Sequence, residues 1–262
     1  VLYIYTNDRP APGLLHAKVA ISPHAPATIK SIDLTEAMKI LGVKAIITGR
    51  YYPILTGSPL EDRPPIAIDK VRYYGEPVAL VVEEQEYIAE MATYRIKVDY
   101  ELLPTVLSPR EAFQKNAPLV HDCLAEYRHH EEVYPEPGTN IANRTKIRKG
   151  DMAEGWRNCH HTIEVEVTLP QSEHAAMEKR CSTAQIMPDS KVIIYSTSQS
   201  PSVIRRAISQ AFHMPLHKVI LAEKPRFNRN FLFIGMPAAL ANCLSNAAGV
   251  ALNQLPLTPE MI

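Results

Sequence analysis

Along the first hundred residues the hydrophobic positions switch between two periods. In LLHAKVAI, Leu15, Ala17, Val19 and Ile21 fall on one face at period two, which predicts a strand, and TIKSIDL repeats the pattern after the turn SPHAPA. LTEAMKIL takes helical spacing and stops at Gly42, and VKAIIT returns to a strand. Beyond the proline-rich loop ending in EDRPPIA come KVRYY and a turn at Gly75-Glu76-Pro77, where glycine and proline set the backbone angles. VALVVE follows, and its unbroken apolar run predicts a strand buried on both faces. QEYIAEMATYRI carries Ile88, Met91, Ala92 and Arg95 on one helical face, and IKVDYELLP closes the series as a strand. Short strands and helices in this order predict a compact mixed α/β module ending near Pro104.

The stretch from SPREAF through HHEEVYPEPGTN is rich in proline and charge and reads as a connector. KIRKGDMAEGW then gives a strand, a Gly-Asp helix start and a short helix; HTIEVEVTL and CSTAQIM read as long strands, followed by the strand KVIIYST. SQSPSVIRRAISQAFHM opens a helix with Ser200 as N-cap and Pro201 in the first turn, its face formed by Ile204, Ala207, Ile208 and Ala211. LHKVILAE is a further strand. In FLFIGMPAALANCLSNAAG an apolar strand turns at Gly235 into a helix opened by Pro237.

Composition removes several function classes. Lys+Arg and Asp+Glu number 28 each, so there is no net basic charge to attract nucleic acid or an anionic membrane surface. No apolar run reaches the roughly 20 residues of a membrane span, and VLYIYTNDRP lacks the basic lead of a signal peptide. The default expectation is a cytoplasmic globular protein whose partners are small molecules or other proteins. Cys123, Cys159, Cys181 and Cys243 lie far apart with no C-x-x-C pair, against a zinc ribbon or an iron–sulfur cluster. Cys159-His160-His161 is a weak metal candidate, because adjacent side chains on the strand that follows point to opposite faces. Glycines number only ten, with no Gly-Gly pair and none between Gly155 and Gly235, so a Gly-rich phosphate cradle cannot be built.

The pieces PGLLHAKVAISPHAPATIKSID, KVRYYGEPVALVV, VDYELLP, the KGD before a helix, EHAAMEKRCSTA and YSTSQSPSVIRRAISQAF occur in the order they take in one enzyme family. With them the chain resembles the molybdopterin-binding large subunit of the xanthine dehydrogenase and aldehyde oxidase family over roughly residues 5–222. The resemblance implies an α/β (α+β) fold in which an α/β hammerhead domain, residues 1–107, is joined by a connector, 108–143, to a partial molybdenum cofactor-binding domain, 144–262. Within the latter, 144–222 resembles the start of the family's domain and 231–262 its C-terminal segment, so the interior between them is expected to be missing. After HKVILAE, where the family has a glycine-rich loop approaching the cofactor, this chain has KPRFNRN.

Three site positions follow from the resemblance. Gln199 matches the glutamine whose amide hydrogen-bonds an oxo ligand of molybdenum; its plainer reading is a polar residue before a helix. Glu178, in MEKR, matches a recurrent Met-Glu pair; its plainer reading is a solvent-facing glutamate on a strand. Met236 occupies the place of the family's general-base glutamate, and a thioether accepts no proton at neutral pH. A helix N-terminus also favours an acid, which methionine does not supply.

The resemblance implies a molybdenum–molybdopterin cofactor, with iron–sulfur and FAD centres on partner subunits and neither on this chain. Two functions follow as alternatives. One is a shortened subunit of a hydroxylase of purines or aldehydes. The other is a catalytically inactive remnant serving as a scaffold or assembly module, favoured by Met236, the altered loop and the missing interior. A second polypeptide that completes the domain is a further possibility, as is self-association through the apolar segment FLFIGMPAAL.

Overall fold

The computed structural model describes residues 11–169, 180–196, 198 and 200–222. They divide into two compact units, one running up to Lys146 and including Ala207–Met214, the other built from Ile147–Arg206 and from Pro215 onward.

The first unit contains, in chain order, β1 (His16–Ile21), β2 (Ala27–Asp33), α1 (Thr35–Met38), β3 (Ala45–Thr48), β4 (Lys70–Val71), β5 (Pro77–Glu83), α2 (Glu86–Thr93), β6 (Lys97–Leu102) and α3 (Pro109–Ala112). The strands form two three-stranded sheets, β1-β5-β3 and β4-β2-β6, with every pairing antiparallel. β5 is the central strand of the first sheet, which accounts for its continuous apolar run: Val78, Ala79 and Val81 are all buried. Helix α2 packs on β1 and β5, and a 2.7 Å ion pair from Lys18 to Glu86 identifies the face of β1 that it covers.

On β1 and α2 the patterned face and the buried face differ. The Ala17–Val19–Ile21 face of β1 is the outer one, with Val19 and Ile21 about half exposed, because α2 lies over the opposite face. On α2 the buried residues are Ala89 and Ala92, while Met91 stays 53% exposed. Small side chains let the helix backbone approach the sheet, and the longer ones are displaced to its rim.

The main core cluster comprises Ala27, Ile29, Ala67, Val71 and Val78, with Ala20, Ile32, Val98 and Tyr100 packed around it. It draws on both sheets, so it is what joins them. Helix α1 is shorter than the pattern LTEAMKIL predicted and ends at Met38. At Gly42 the backbone takes φ +100°, a conformation that side-chain-bearing residues rarely adopt.

Residues 108–143, expected as a connector, lie against this unit. Ser108 caps α3 by accepting from Glu111 N at 3.2 Å, and Leu124, Tyr127 and Val133 are buried. Leu124 and Tyr127 cluster with Leu60, and Lys70 pairs with Asp122 at 2.8 Å. Two backbone bonds, Glu61 N to Arg128 O at 2.9 Å and His130 N to Pro59 O at 3.0 Å, complete the attachment.

The second unit contains α4 (Met152–Asn158), β7 (Ser182–Ile186), β8 (Val192–Ser196), α5 (Pro201–Ala211, whose last five residues fall in the first unit) and β9 (Val219–Ala222). The Gly-Asp helix start forms as expected: Gly150 takes φ +70° and the Asp151 carboxylate accepts from Ala153 N and Glu154 N at 2.8 and 3.1 Å. The expected strand at KIR does not form. HTIEVEVTL makes no ladder with any described residue, and Ile163, Val165, Val167 and Leu169 each remain about half exposed. Alternation marks a segment with one face to bury, but a strand exists only through its partner. No helix among the described residues is long and apolar enough to cross a membrane.

Candidate functional site

In the sheet β7-β8-β9, β7 and β8 are antiparallel, whereas β8 and β9 run parallel from Val192↔Val219 to Tyr195↔Ala222. A parallel neighbour cannot be reached by a tight turn, so the chain returns along the sheet through α5. Crossovers of this kind place a helix N-terminus at the carboxyl ends of the strands, where unpaired N–H groups face outward and α/β sheets hold ligands.

Local sequence builds that corner. Ser196 ends β8, and its hydroxyl meets that of Ser182 on β7 at 2.8 Å. Ser200 N donates to Ser198 Oγ at 3.0 Å, while the Ser200 carbonyl accepts from Val203 N and Ile204 N, both at 3.1 Å. Pro201 then occupies the first helical position, where its missing N–H costs nothing.

One turn on, Arg205 donates from Nε to Val219 O at 2.7 Å and from Nη2 to Leu216 O at 2.8 Å. It braces the helix against β9. Between them lies a shallow cavity of about 340 Å³ lined by Pro201, Ser202, Arg205, Val219, Ile220 and Leu221. Nothing along the chain signals this brace, because an arginine on an amphipathic helix ordinarily reads as solvent-facing.

Of the three residues predicted for the site, Glu178, Gln199 and Met236 all lie outside the described residues. The structure brings the two neighbours of Gln199, Ser198 and Ser200, to the helix start. With Ser200 N, Val203 N and Ile204 N bonded within the corner and no N–H on Pro201, it is the hydroxyls of Ser198, Ser200 and Ser202 that this edge offers to the phosphate or oxo oxygens of an anionic cofactor. Among the described residues no group of three His, Cys, Asp or Glu side chains is placed to hold a metal directly.

Sequence reasoning also missed two buried carboxylates in the first unit. Gly75, with φ +86°, forms the expected turn, yet Glu76 beside it is only 2% exposed. Its Oε2 accepts from Arg72 N at 2.5 Å. Burial pushes its carboxyl above the ordinary range, opposed by the bond from Arg72 N and by the Arg72 charge. Glu83, 1% exposed, accepts from Gln85 N at the start of α2. A glutamate in a Gly-x-Pro turn or at a strand end is ordinarily solvated, so neither position carries a signal of burial.

Comparison with known proteins places this architecture. Residues 2–104 match the aldehyde oxidase and xanthine dehydrogenase a/b hammerhead domain, and residues 133–226 match the molybdopterin cofactor-binding domain. A probable xanthine dehydrogenase subunit of Bacillus subtilis is 31% identical over 223 residues, covering 84% of this chain and 28% of that protein. The carbon monoxide dehydrogenase large chain of Afipia carboxidovorans is 27% identical over 234 residues, covering 82% of this chain and 27% of that one. Quinoline 2-oxidoreductase from Pseudomonas putida 86 has the same fold over 86% of this chain and 28% of its own, with TM-score 0.69 and 24% identity. The chain thus spans under a third of the length of these relatives. With both matched domains in family order, the chain belongs to the aldehyde oxidase and xanthine dehydrogenase family.

Proposed function

We propose that this chain is a molybdopterin-binding portion of a xanthine dehydrogenase or aldehyde oxidase-like oxidoreductase, and that it is inactive without other polypeptide. The match of residues 133–226 to the cofactor-binding domain carries this reading. In it, residues 1–107 act as the hammerhead domain, 108–143 as the connector and 144–262 as the cofactor-binding part. The serine hydroxyls at the start of α5 would hold cofactor oxygens; by the resemblance, the Gln199 amide would hydrogen-bond an oxo ligand of the metal and Glu178 would take part in binding the cofactor. When bound, the molybdenum cofactor supplies the oxidation of an electron-poor carbon, with electrons leaving through iron–sulfur and FAD subunits. The chain's own part is to bind and orient, since Met236 cannot take the proton that a glutamate would.

A second reading, a scaffold that holds partner subunits without cofactor, is favoured by KPRFNRN standing where the family has its glycine-rich loop. Metal analysis of the purified chain, alone and after co-expression with iron–sulfur and FAD subunits, separates the two. Stoichiometric molybdenum supports the cofactor-binding reading. Its absence in both preparations supports the scaffold.

A further inference from the structure

Residues 119–130 are fastened to the first unit around one aromatic hydroxyl. Tyr127, 8% exposed, packs with Leu60 and Leu124, and its hydroxyl lies 3.0 Å from His121 Nδ1, the two rings meeting edge to face at 5.4 Å. The Arg72 guanidinium, from just beyond β4, faces the same hydroxyl. A guanidinium can only donate. A positive charge on that side favours a hydroxyl that turns its lone pairs toward Arg72 and its proton toward His121 Nδ1, the arrangement that goes with a neutral imidazole carrying its proton on Nε2.

Protonating His121 would put an N–H where the tyrosine's proton points and leave that proton without an acceptor inside a packed cluster. The surrounding charges offer limited relief. Arg72 and Lys70 on the first unit oppose a new positive charge; Asp62 in the loop before β4 and Asp122 next to His121 favour it. Asp122 is already paired with Lys70 at 2.8 Å, and Arg72, whose Nε is buried with no hydrogen-bond partner, meets the Glu76 carboxylate at 3.9 Å. Burial is the largest influence on His121, and it holds the imidazole below its ordinary value near 6.5.

We propose that His121, Tyr127 and Arg72 form an acid-sensitive latch that fastens residues 119–130 to the first unit and loosens when His121 gains a proton. The sign follows from linkage. A histidine that titrates lower when fastened than when released holds the segment fully above about pH 6.5 and progressively less as pH falls toward its fastened value. This inference is independent of cofactor binding, since every group in it lies in the first unit.

The test is native-state hydrogen exchange on the full chain between pH 7.5 and 5.5, with rates converted to protection factors. The amides of Glu61 and His130, which bond to Arg128 O and Pro59 O, report the latch; the Val81 amide in the central ladder reports the whole unit. The expected result is a loss of protection of about three- to tenfold at Glu61 and His130, within the tenfold per pH unit that one proton allows, with Val81 unchanged. His121→Gln, which keeps an acceptor but does not titrate, should flatten the profile. Should the variant not fold, the His121 ring of the unmodified chain is titrated by NMR, and a value at or above the ordinary one overturns the proposal. So does a flat wild-type profile, an equal loss at Val81, or an unchanged slope in His121→Gln.

Discussion

Replacing Gly42 with alanine should unfold the first unit more readily than a surface glycine would allow. Two costs combine. The backbone at Gly42 has φ +100°, outside the range that L side chains accept, which is worth about 1–2 kcal/mol. The added Cβ would also fall well inside van der Waals contact of Glu83 Oε1. A flexible carboxylate could normally swing aside, but Glu83 is 1% exposed and its other oxygen accepts from Gln85 N. Moving it sacrifices a charge-assisted bond worth about 1.5–3 kcal/mol. The sum predicts a loss of about 2.5–5 kcal/mol, a large share of a typical domain's stability. Urea unfolding of the parent, Gly42→Ala, Glu83→Ala and the double variant would measure it. Because the alanine methyl and the carboxylate compete for one space, the double variant should cost about 1.5–3 kcal/mol less than the sum of the singles. A loss below about 1 kcal/mol for Gly42→Ala, or strict additivity, would refute the reasoning.

Three further outcomes are expected. Asp151→Ala removes the cap that accepts from Ala153 N and Glu154 N, and should destabilise α4 by about 1 kcal/mol, seen as faster exchange of those two amides while the β8 amides hold. Glu76→Gln should stabilise the chain at pH 7 and have little effect below pH 4.5. A carboxyl raised by burial loses stability as pH rises from its ordinary value of 4.5 through its folded one, and the amide avoids that loss; urea curves at pH 4 and 7 check it. Met236→Glu should leave the chain without substrate-dependent reduction of an artificial acceptor. A base contributes about 10²–10⁴-fold only to a centre already assembled, and turnover confined to the glutamate form would show that the centre is intact.

The elements were legible where one rule decided them. β5 announced its central place through an unbroken apolar run, and the cap at Asp151 and the face Ile204–Ala207–Ile208–Ala211 of α5 follow from short-range chemistry; all four of those α5 residues are at least partly buried. Partner-dependent features were not legible. The face of β1 that α2 covers depends on where α2 lands, and HTIEVEVTL shows a strand pattern without a described strand to pair with. Residues 108–143 looked like a linker because proline and charge dominate them, yet a few apolar anchors, Leu124, Tyr127 and Val133, suffice to hold them down. Near the candidate site the helix start at Ser200 and Pro201 was legible, whereas the Arg205 brace depends on carbonyls that come from another segment.

The antiparallel ladders of the first unit also set an order of assembly on the ribosome. β1 pairs with β5, so the sheet β1-β5-β3 can close once Glu83 has emerged. β2 pairs along most of its length with β6, so the sheet β4-β2-β6 must wait for Leu102. Between those two moments the nascent chain carries one finished sheet and one with an open edge, and pairing across such long sequence separations is intrinsically slow. A translational pause after Glu83 would prolong that half-built state, whereas a pause after Leu102 would let the second sheet close before the cofactor-binding segment is made.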